Sequence, residues 1–567
     1  MPSICDNHNP QFMIMKKTLK KFLSVAVLFT GCCLVPSVTG ATTFTIDSLD
    51  GDITSNELNQ FVNSVATLNP GANNYGNNYA DHTDGVRAEG IGRMYEATDN
   101  VTILNHLIRY CEQFMSHRND QPWGEHRTMW DGTVAAVWPP EASTDPNPGY
   151  AGSESCQVGG HVAYCAWLIL STPSIWNNTV PDGNPHSYGA TYKARAQKYV
   201  QLLDGGMGSY YTKWFVTSSH TLRWPTDSRW GKGSGGDTQG AAVPWNQQMM
   251  FCKAYQYLAQ CHDILGDNPS FLSLYKDVVN QFATGFVAAQ TPYVKNGHNV
   301  CTWGYSGSGG SPENQGHAQH DVVGLWQSYE SGYTGVTSSQ VGVYANTAQY
   351  VMNLGSTDSW SGNVDGTGTS SSLKTDFIFL SMWNNALFKM IAQANIDANL
   401  INSGSEACKN TGYILYMKHW LAAQIDTSKI YKLQNVASGL VLNQQGSLTN
   451  GAKITQWSAS STSVNLQWKF LPTSSGYYQI NSVKSGLDAV VQSASTSAGA
   501  GIIQWSFGSA GNDQWKPVHN SDGSFTFYNL KSGLVLEDPG SSTSTSTQMD
   551  QWTANGGNNQ KWNLLPQ

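Results

Sequence analysis

The segment Tyr431-Lys-Leu-Gln-Asn-Val-Ala-Ser-Gly-Leu-Val-Leu-Asn443 opens a pattern that the C-terminal region repeats three times. Each repeat then carries a Gln-Trp pair and an Asn-x-x-Trp motif: Gln456-Trp457 and Asn465-Leu-Gln-Trp468, Gln504-Trp505 and Asn512-Asp-Gln-Trp515, Gln551-Trp552 and Asn559-Gln-Lys-Trp562. The Gln-Trp pairs lie 48 and 47 residues apart. This self-similarity predicts three copies of one small unit that cannot bury its apolar face alone.

Apolar and polar residues alternate between the Ser-Gly turns of these repeats, as after Ser438-Gly439 and Ser532-Gly533. Such alternation is typical of short β-strands. We therefore expect an all-β domain over residues 430–567, in which three units close a pseudo-threefold barrel around shared Trp residues. The repeated motifs resemble those of the ricin-type β-trefoil lectins.

The resemblance implies sugar sites built from an acidic residue after the Ser-Gly turn, an aromatic ring and an Asn-Gln pair. Carboxylate and amide groups would meet vicinal hydroxyls while the ring stacks on the sugar. The matching positions are Glu537, Asp538, Trp552, Asn559 and Gln560 in the third repeat, Asn443, Trp457 and Asn465 in the first, and Trp505 and Asn512 in the second. Leu466 replaces the Gln of the first repeat, and Val490 or Val491 lies near the acidic place of the second. We expect one or two working sites, and core packing is the alternative role for the Gln-Trp tryptophans.

Composition narrows the class of protein. The 567 residues are 40% hydrophobic, only 12% charged and 11% aromatic, with a net charge of -8. These values exclude a disordered acidic tail, a coiled coil and a basic nucleic-acid binder, so we expect no nucleic-acid partner. Low charge with abundant Trp, Tyr, Asn and Gly is common among secreted proteins that handle carbohydrate.

The N-terminus has the order of a secretory signal. Lys16, Lys17, Lys20 and Lys21 precede an apolar run over residues 22–35, and small residues follow up to Gly40. We predict a signal peptide over residues 1–40, with Met15 as an alternative start, and a secreted protein, extracellular or periplasmic. Lipid attachment at Cys32 is the alternative, which Phe29 fits poorly. No later segment has the apolar length of a membrane span.

Seven cysteines follow the predicted cleavage point. An odd number leaves at least one free thiol, although an exported protein can pair the others. None forms a CxxC pair, which argues against a cysteine zinc site. We expect no metal or other cofactor.

Residues 41–428 have helical periodicity in ten segments: 84–98, 101–116, 158–170, 192–203, 247–265, 271–289, 318–329, 341–353, 375–396 and 406–423. Loops between alternate helices are long and rich in Gly, Ser and Pro. About ten antiparallel helices of this kind predict an α/α toroid with a cleft on its loop rim, and an irregular helical bundle is the alternative. Residues 41–429 carry a net charge of -12, against +3 before them and +1 after them.

Chemistry-bearing residues concentrate in Trp303-Gly-Tyr305 and Glu313-Asn-Gln-Gly-His317-Ala-Gln-His320-Asp321. If the second motif opens a helix, Glu313, His317 and His320 lie near one face. An aromatic loop followed by an acid and a histidine resembles the active-site rim of α/α-toroid polysaccharide lyases. The likeness is confined to residues 303–321, and Asn314 and Gly316 stand where such rims often have Asp and Ser.

Two further candidates begin predicted helices. Asn246 follows Pro244-Trp245, and His161 follows Gly159-Gly160. The ordinary roles of these residues are a helix cap and a buried structural histidine. Arg87 and Glu89 form a possible ion pair, which is most simply structural.

Together these residues favour a polysaccharide lyase that cleaves an alginate- or glucuronan-like polymer by β-elimination. Asn246 would bind the uronate carboxyl, His317 or His161 would remove the C5 proton with Glu313 orienting it, and Tyr305 would protonate the leaving oxygen. The lectin module would tether a monomeric enzyme to glycan.

Three alternatives stay open. A glycoside hydrolase needs two carboxylates, for which the candidates are Glu89, Asp131, Asp237, Glu313 and Asp321. The charge of -12 favours this alternative, unless local arginines make the cleft positive: Arg87, Arg93, Arg127, Arg223 and Arg229. The others are a non-catalytic glycan-binding protein and metal-dependent chemistry at Glu313, His317 and His320.

Overall fold

The computed structural model describes residues 43–71, 83–140, 148–231, 238–306, 311–422, 424–473, 477–508, 510–520 and 523–567. Among these residues the chain divides into two compact units between Leu421 and Ala422, a few residues before the predicted boundary at 428–430. The predicted signal peptide, with Met15 and Cys32, lies outside the described residues. No helix in the described part of the chain is long and apolar enough to cross a bilayer.

The first unit is helical, as predicted. Its helices are α1 (Ser55–Ala66), α2 (Asp84–Thr98), α3 (Val101–Ser116), α4 (Ser153–Leu170), α5 (Tyr192–Asp204), α6 (Thr212–Phe215), α7 (Trp245–Leu265), α8 (Pro269–Ala288), α9 (Gln315–Ser331), α10 (Ser338–Thr347), α11 (Ala386–Asp397) and α12 (Ala407–Ala422). Two short hairpins interrupt them, β1 (Thr291–Lys295) with β2 (His298–Thr302), and β3 (Asn353–Ser356) with β4 (Ser359–Trp360).

The structure differs from the predicted helices at several places, and it contains two helices that were not predicted, α1 and the one-turn α6. The segment predicted as one helix over 375–396 is a 3-10 helix, Thr375–Met382, followed by α11. Helix α1 was not predicted, although Thr54 and Glu57 form a capping box at its start. A single capping box at a weakly apolar segment is easily missed when periodicity is the main signal.

Close contacts connect alternate helices. A methyl group on Gly92 of α2 would lie 2.3 Å from the Tyr164 ring of α4, and one on Gly324 of α9 would lie 1.8 Å from the Met249 side chain of α7. Gly160 of α4 likewise leaves room for the side chain of Lys253 on α7. Glycine therefore lets these helices approach more closely than any larger residue would allow.

The contacts continue beyond α9. Trp326 of α9 stacks on Phe379 of the 3-10 helix, with ring centroids 3.9 Å apart. Lys409 of α12 pairs with Asp376 of the same 3-10 helix at 2.9 Å. A methyl group on Gly90 of α2 would meet the backbone of α12 at 2.3 Å, so the contacts return to the helix at which they began.

The cysteines do not form disulfides among the described residues. Cys111, Cys156, Cys165, Cys252, Cys261, Cys301 and Cys408 are free thiols. All but Cys408 are buried, and burial raises the pKa of the Cys301 thiol to about 12. These residues pack as small apolar side chains.

The second unit contains twelve antiparallel strands, four in each repeat. They are β5 (Tyr431–Asn435), β6 (Val441–Asn443), β7 (Thr455–Trp457), β8 (Trp468–Pro472), β9 (Tyr478–Ser482), β10 (Asp488–Val491), β11 (Ala500–Trp505), β12 (Trp515–His519), β13 (Phe525–Asn529), β14 (Val535–Glu537), β15 (Asp550–Trp552) and β16 (Trp562–Pro566). Pairing runs from β5 through β8, β9, β12, β13 and β16 back to β5. The hairpins β6–β7, β10–β11 and β14–β15 complete the predicted threefold arrangement.

Tryptophans of the Asn-x-x-Trp motifs fill the centre of this barrel. Trp468, Trp515 and Trp562 are fully buried. Their indole N–H groups donate to the carbonyls of Leu442, Ala489 and Leu536, each 26 residues earlier in the chain. The shared Trp core is therefore confirmed for these three residues.

The glutamines of the Gln-Trp pairs join each repeat to the one before it. Gln551 is buried, and its amide donates to the carbonyls of Ser495 and Ser497, at 3.0 Å each. Gln504 bonds residues 447 and 449 in the same way, and Gln456 bonds residues 542 and 544. These buried amide bonds close the threefold circuit.

Candidate functional site

Three helix N-termini meet at one cluster in the helical unit. Ser153 in the first turn of α4 donates to the Gln247 side chain of α7 at 3.3 Å. Gln247 in turn donates to the Tyr305 hydroxyl at 3.2 Å. The Tyr305 ring lies against the His317 ring of α9, with centroids 5.2 Å apart. The structure thus brings two of the predicted catalytic residues into contact.

His317 is held by its neighbours at the start of α9. Asn314 caps this helix, so Glu313 precedes the helix and does not share a helical face with His317. The Glu313 carboxylate nevertheless lies 3.1 Å from His317 Nδ1. Burial raises the pKa of Glu313, while the Asn314 N–H and His317 oppose that rise. The His317 side chain is 46% exposed, so Glu313 orients a histidine that solvent and ligands can reach.

A cavity of about 260 Å³ adjoins this cluster. Gln247 and Ser153 lie in its wall together with the aromatic rings of Trp138, Trp224 and Trp230. The Trp224 and Trp230 rings are nearly parallel, with an interplanar angle of 17°. No sequence motif connects Trp138 with Trp224 and Trp230, because they lie in two separate loops that are far apart in the chain.

Asn246 lies next to this cluster, since the Trp245 N–H donates to the Tyr305 carbonyl at 3.1 Å. Asn246 is 5% exposed. Its side-chain oxygen is buried and has no hydrogen-bond partner among the described residues. This unpartnered oxygen can accept from a substrate hydroxyl, whereas a uronate carboxylate would have to be bound by the Asn246 amide N–H groups.

His161 belongs to a buried ionic cluster and not to the exposed Tyr305 pair. Lys253 donates to His161 Nδ1 at 3.1 Å and pairs with Glu89, which also accepts from the Tyr413 hydroxyl. Burial and the Lys253 charge lower the pKa of His161 to about 3. Burial alone would raise the pKa of Glu89, but Lys253 and His161 hold it well below its usual range.

The predicted pair between Arg87 and Glu89 is wrong. Arg87 pairs with Asp84 at 2.9 Å, one helical turn away, whereas Glu89 faces Lys253. Residues two apart on a helix point in different directions, which explains the error.

His320 and Asp321 lie deeper than His317. Burial and the Lys409 charge lower the pKa of His320 to about 3. Asp321 is fully buried and accepts from the Trp303 indole at 2.9 Å. Among the described residues no group of three His, Cys, Asp or Glu side chains could hold a metal ion.

The candidate carboxylates for a hydrolase that the structure describes each bond a different partner. Glu89 and Asp321 are committed to buried partners, and Asp131 accepts from the Trp214 indole at 3.1 Å. Glu313 contacts His317. Asp237 lies outside the described residues.

The five arginines considered for a positive cleft are all engaged. Arg87, Arg93, Arg127 and Arg229 pair with Asp84, Glu96, Glu125 and Asp227, and Arg223 donates to the Gly240 carbonyl. Carboxylates therefore compensate the charges of four of them, whereas Arg223 bonds a neutral carbonyl.

In the second unit, the third repeat groups the predicted sugar-binding residues. Gln560 and Asn559 donate to the Glu537 carboxylate at 2.7 and 3.2 Å. Glu537 lies opposite Asp550 in the strand pair, beside the exposed ring of Trp552. Burial, then Glu537 and Asp538, raise the pKa of Asp550 to about 7. The sequence motifs did not identify Asp550 as a sugar-binding candidate, because only the pairing of β14 with β15 places it opposite Glu537.

The remaining predicted residues are less concentrated. Asp538 is fully buried and accepts from Gln456 at 3.2 Å. In the first repeat Asn443 donates to Thr455 at 3.3 Å, and Asn465 accepts from Gln444. In the second repeat Asn512 donates to the Val491 carbonyl at 2.8 Å.

The Gln-Trp tryptophans do not belong to the core. Trp457, Trp505 and Trp552 are 42%, 45% and 44% exposed. An exposed indole on each repeat suits stacking on a ligand better than packing.

Residues 417–505 and 511–567 match the family model of the ricin-type β-trefoil lectin domain. The C-terminal unit is a ricin-type β-trefoil lectin domain. This module implies a glycan ligand.

Solved structures resemble about a quarter of the chain. A designed threefold-symmetric protein, ThreeFoil, is 36% identical over 24% of this chain and 97% of its own, with a TM-score of 0.24. An exo-β-1,3-galactanase from Clostridium thermocellum is 32% identical over 25% of this chain and 31% of its own, with a TM-score of 0.24. The C-half of an earthworm R-type lectin, in complex with GalNAc, is 22% identical over 24% of this chain and 99% of its own, with a TM-score of 0.21. No curated protein matches the chain.

Replacing Trp552 should weaken glycan binding while leaving the fold intact. We expect Trp552→Ala to lower affinity about tenfold, which corresponds to the loss of roughly 1.4 kcal/mol of stacking. Trp505→Ala is the matched control, because Trp505 is equally exposed but has Val490 and Ile503 where the third repeat has Glu537 and Asp550. Titration of both variants with glycans that the parent retains measures the difference. Equal losses would show that the third repeat is not the principal site.

Proposed function

We propose that the helical unit is an α/α-toroid polysaccharide lyase and that the lectin domain tethers it to glycan. The toroid is supported by the series of helix contacts that runs from α2 through α4, α7, α9, the 3-10 helix and α12 back to α2. The observation that carries the activity is the Tyr305–His317 contact, with His317 oriented by Glu313. A secreted location remains the expectation from the N-terminal sequence.

β-Elimination needs a base and an acid close to one another. In our proposal His317 removes the C5 proton of a uronate, and the electron pair forms the C4–C5 double bond as the C4–O bond breaks. The Tyr305 hydroxyl gives its proton to the leaving oxygen, and Gln247 positions that hydroxyl. Two adjacent groups that exchange protons with the substrate are the requirement of general acid–base catalysis.

Carboxyl recognition is assigned to the helix starts. Asn246 lies in the first turn of α7 and His317 in the first turn of α9, and neither turn contains an acidic residue. The N-terminus of a helix carries about half a positive charge and favours anions. At the start of α7 this local field opposes the acidic charge of the unit as a whole, whereas at the start of α9 the Glu313 carboxylate, 3.1 Å from His317, offsets it.

Incubation with uronate polymers and neutral polysaccharides tests the proposal. We expect a chromophoric unsaturated uronate end from an alginate- or glucuronan-like polymer. New reducing ends without that chromophore would show that the helical unit is a glycoside hydrolase instead. The pairing of most candidate arginines with carboxylates favours this alternative. Binding without any cleavage would leave a glycan-binding protein.

A further inference from the structure

The aromatic cavity next to Tyr305 has walls suited to a sugar ring. Trp224 and Trp230 are 3% and 2% exposed and lie nearly parallel to one another, with ring centroids 5.9 Å apart, so they form a buried wall of the cavity. The polar side chains in the wall include Ser153, Glu154 and Gln247. A few placed polar groups of this kind fix the orientation of a ligand in a small-molecule site.

The size of the cavity limits what it can hold. Its volume of about 260 Å³ lies below the roughly 300–1,000 Å³ of pockets for drug-sized ligands. It therefore suits one monosaccharide unit. Gln247 lines the cavity and also bonds the Tyr305 hydroxyl, so a unit held there lies one side chain from the proposed acid.

The charge of the wall distinguishes this cavity from the starts of α7 and α9. Glu154 is the acidic residue in the first turn of α4, and none of the described residues in the wall is cationic. Its negative charge exceeds the roughly half positive charge of the helix end. Arg127, which donates to the Pro140 carbonyl in the wall, is 5% exposed and pairs with Glu125.

We propose that this cavity is a subsite for a single neutral pyranose residue, recognised by hydroxyl donation to Glu154. The inference rests on the lyase function proposed above but replaces its alginate- or glucuronan-like substrate, in which every residue is a uronate, with a heteropolysaccharide in which a neutral residue neighbours the cleaved uronate. The cavity rejects a second uronate because its carboxylate would face Glu154 without a cation.

Two variants test the subsite in the full-length protein. Glu154→Gln keeps the shape of the side chain and removes the charge. We expect it to bind neutral tetrasaccharides, such as cellotetraose or mannotetraose, about tenfold more weakly, since a hydroxyl bonds a charged carboxylate more strongly than a neutral amide. Binding of tetraglucuronate should strengthen. Asp397→Asn, on the exposed end of α11, is the control.

Gly152→Ala narrows the cavity, because the new methyl group would lie 3.3 Å from the Trp224 ring. A thermal melt checks that the variant keeps the fold, since Gly152 has φ -123° and ψ -140°. We expect weaker neutral-sugar binding, whereas Gly205→Ala, with no neighbour closer than 4.0 Å, should bind as the parent does.

Calorimetric titration measures the affinity of both variants and of the parent. Binding by the lectin domain contributes equally to each titration, because every variant keeps the same trefoil, so the difference reports the cavity. The subsite proposal would be overturned if Glu154→Gln and Gly152→Ala bound all neutral tetrasaccharides as tightly as the parent. It would also be overturned if Gly152→Ala abolished the binding of tetraglucuronate and left the binding of neutral tetrasaccharides unchanged. Failure of the lyase proposal is separate, because it would remove the unsaturated product and leave these affinities in place.

Discussion

Tyr305→Phe should lower turnover by about 10²–10⁴-fold, the contribution typical of a positioned acid or base. The variant removes the hydroxyl that accepts from Gln247 and leaves the ring that packs against His317. Stability should therefore change little, while the proton for the leaving oxygen is lost. Initial rates on the polymer that the parent cleaves, together with a thermal melt, separate the two effects.

Tyr350→Phe is the matched control for this variant. Tyr350 also stacks on a histidine, His298, with ring centroids 3.8 Å apart, but it belongs to a different part of the helical unit. We expect full turnover from it. If Tyr305→Phe also kept full turnover, the assignment of Tyr305 as the acid would be wrong.

Lys253→Met should destabilise the helical unit by about 3–5 kcal/mol, the cost of leaving a buried charge without its partner. Lys253 is 2% exposed, and its removal leaves the Glu89 carboxylate without a cation among largely buried neighbours. Methionine keeps the apolar stem that packs on Gly160, so the loss reports the charge.

Urea unfolding followed by far-UV circular dichroism measures this change, because the α-helices of the described residues all lie in the helical unit. The double variant Glu89→Gln with Lys253→Met should recover most of the loss, since the Tyr413 hydroxyl can still donate to the new amide. Lys276→Met, at a partly exposed pair with Asp263, should cost about 0–1 kcal/mol. A comparable loss in that control would contradict the charge-burial explanation.

Local sequence predicted part of the candidate site. The motif from Trp303 to Asp321 identified Tyr305, Glu313 and His317, because their spacing is short and their chemistry is recognisable. It misplaced Glu313 on the helix, since Asn314 caps α9 one residue later. The partners of Tyr305 come from α4 and α7, and no spacing rule connects residues so distant in the chain.

The buried cluster shows the same limit. Sequence placed Arg87 with Glu89 because they are neighbours, but helix geometry turns them apart. Glu89 instead meets Lys253, 164 residues away, because α2, α4, α7 and α12 pack closely through glycines.

The sequence by itself determined the trefoil, because three copies of one strand pattern can bury their apolar faces against each other without help from the rest of the chain. It also determined that residues 41–428 are mainly helical, since periodicity is a local property. The tertiary structure alone decided which tryptophans are core and which are exposed, because identical letters occupy both places. It also decided that Trp224, Trp230, Ser153 and Gln247 enclose one cavity, since packing brings together residues from separate loops and helices.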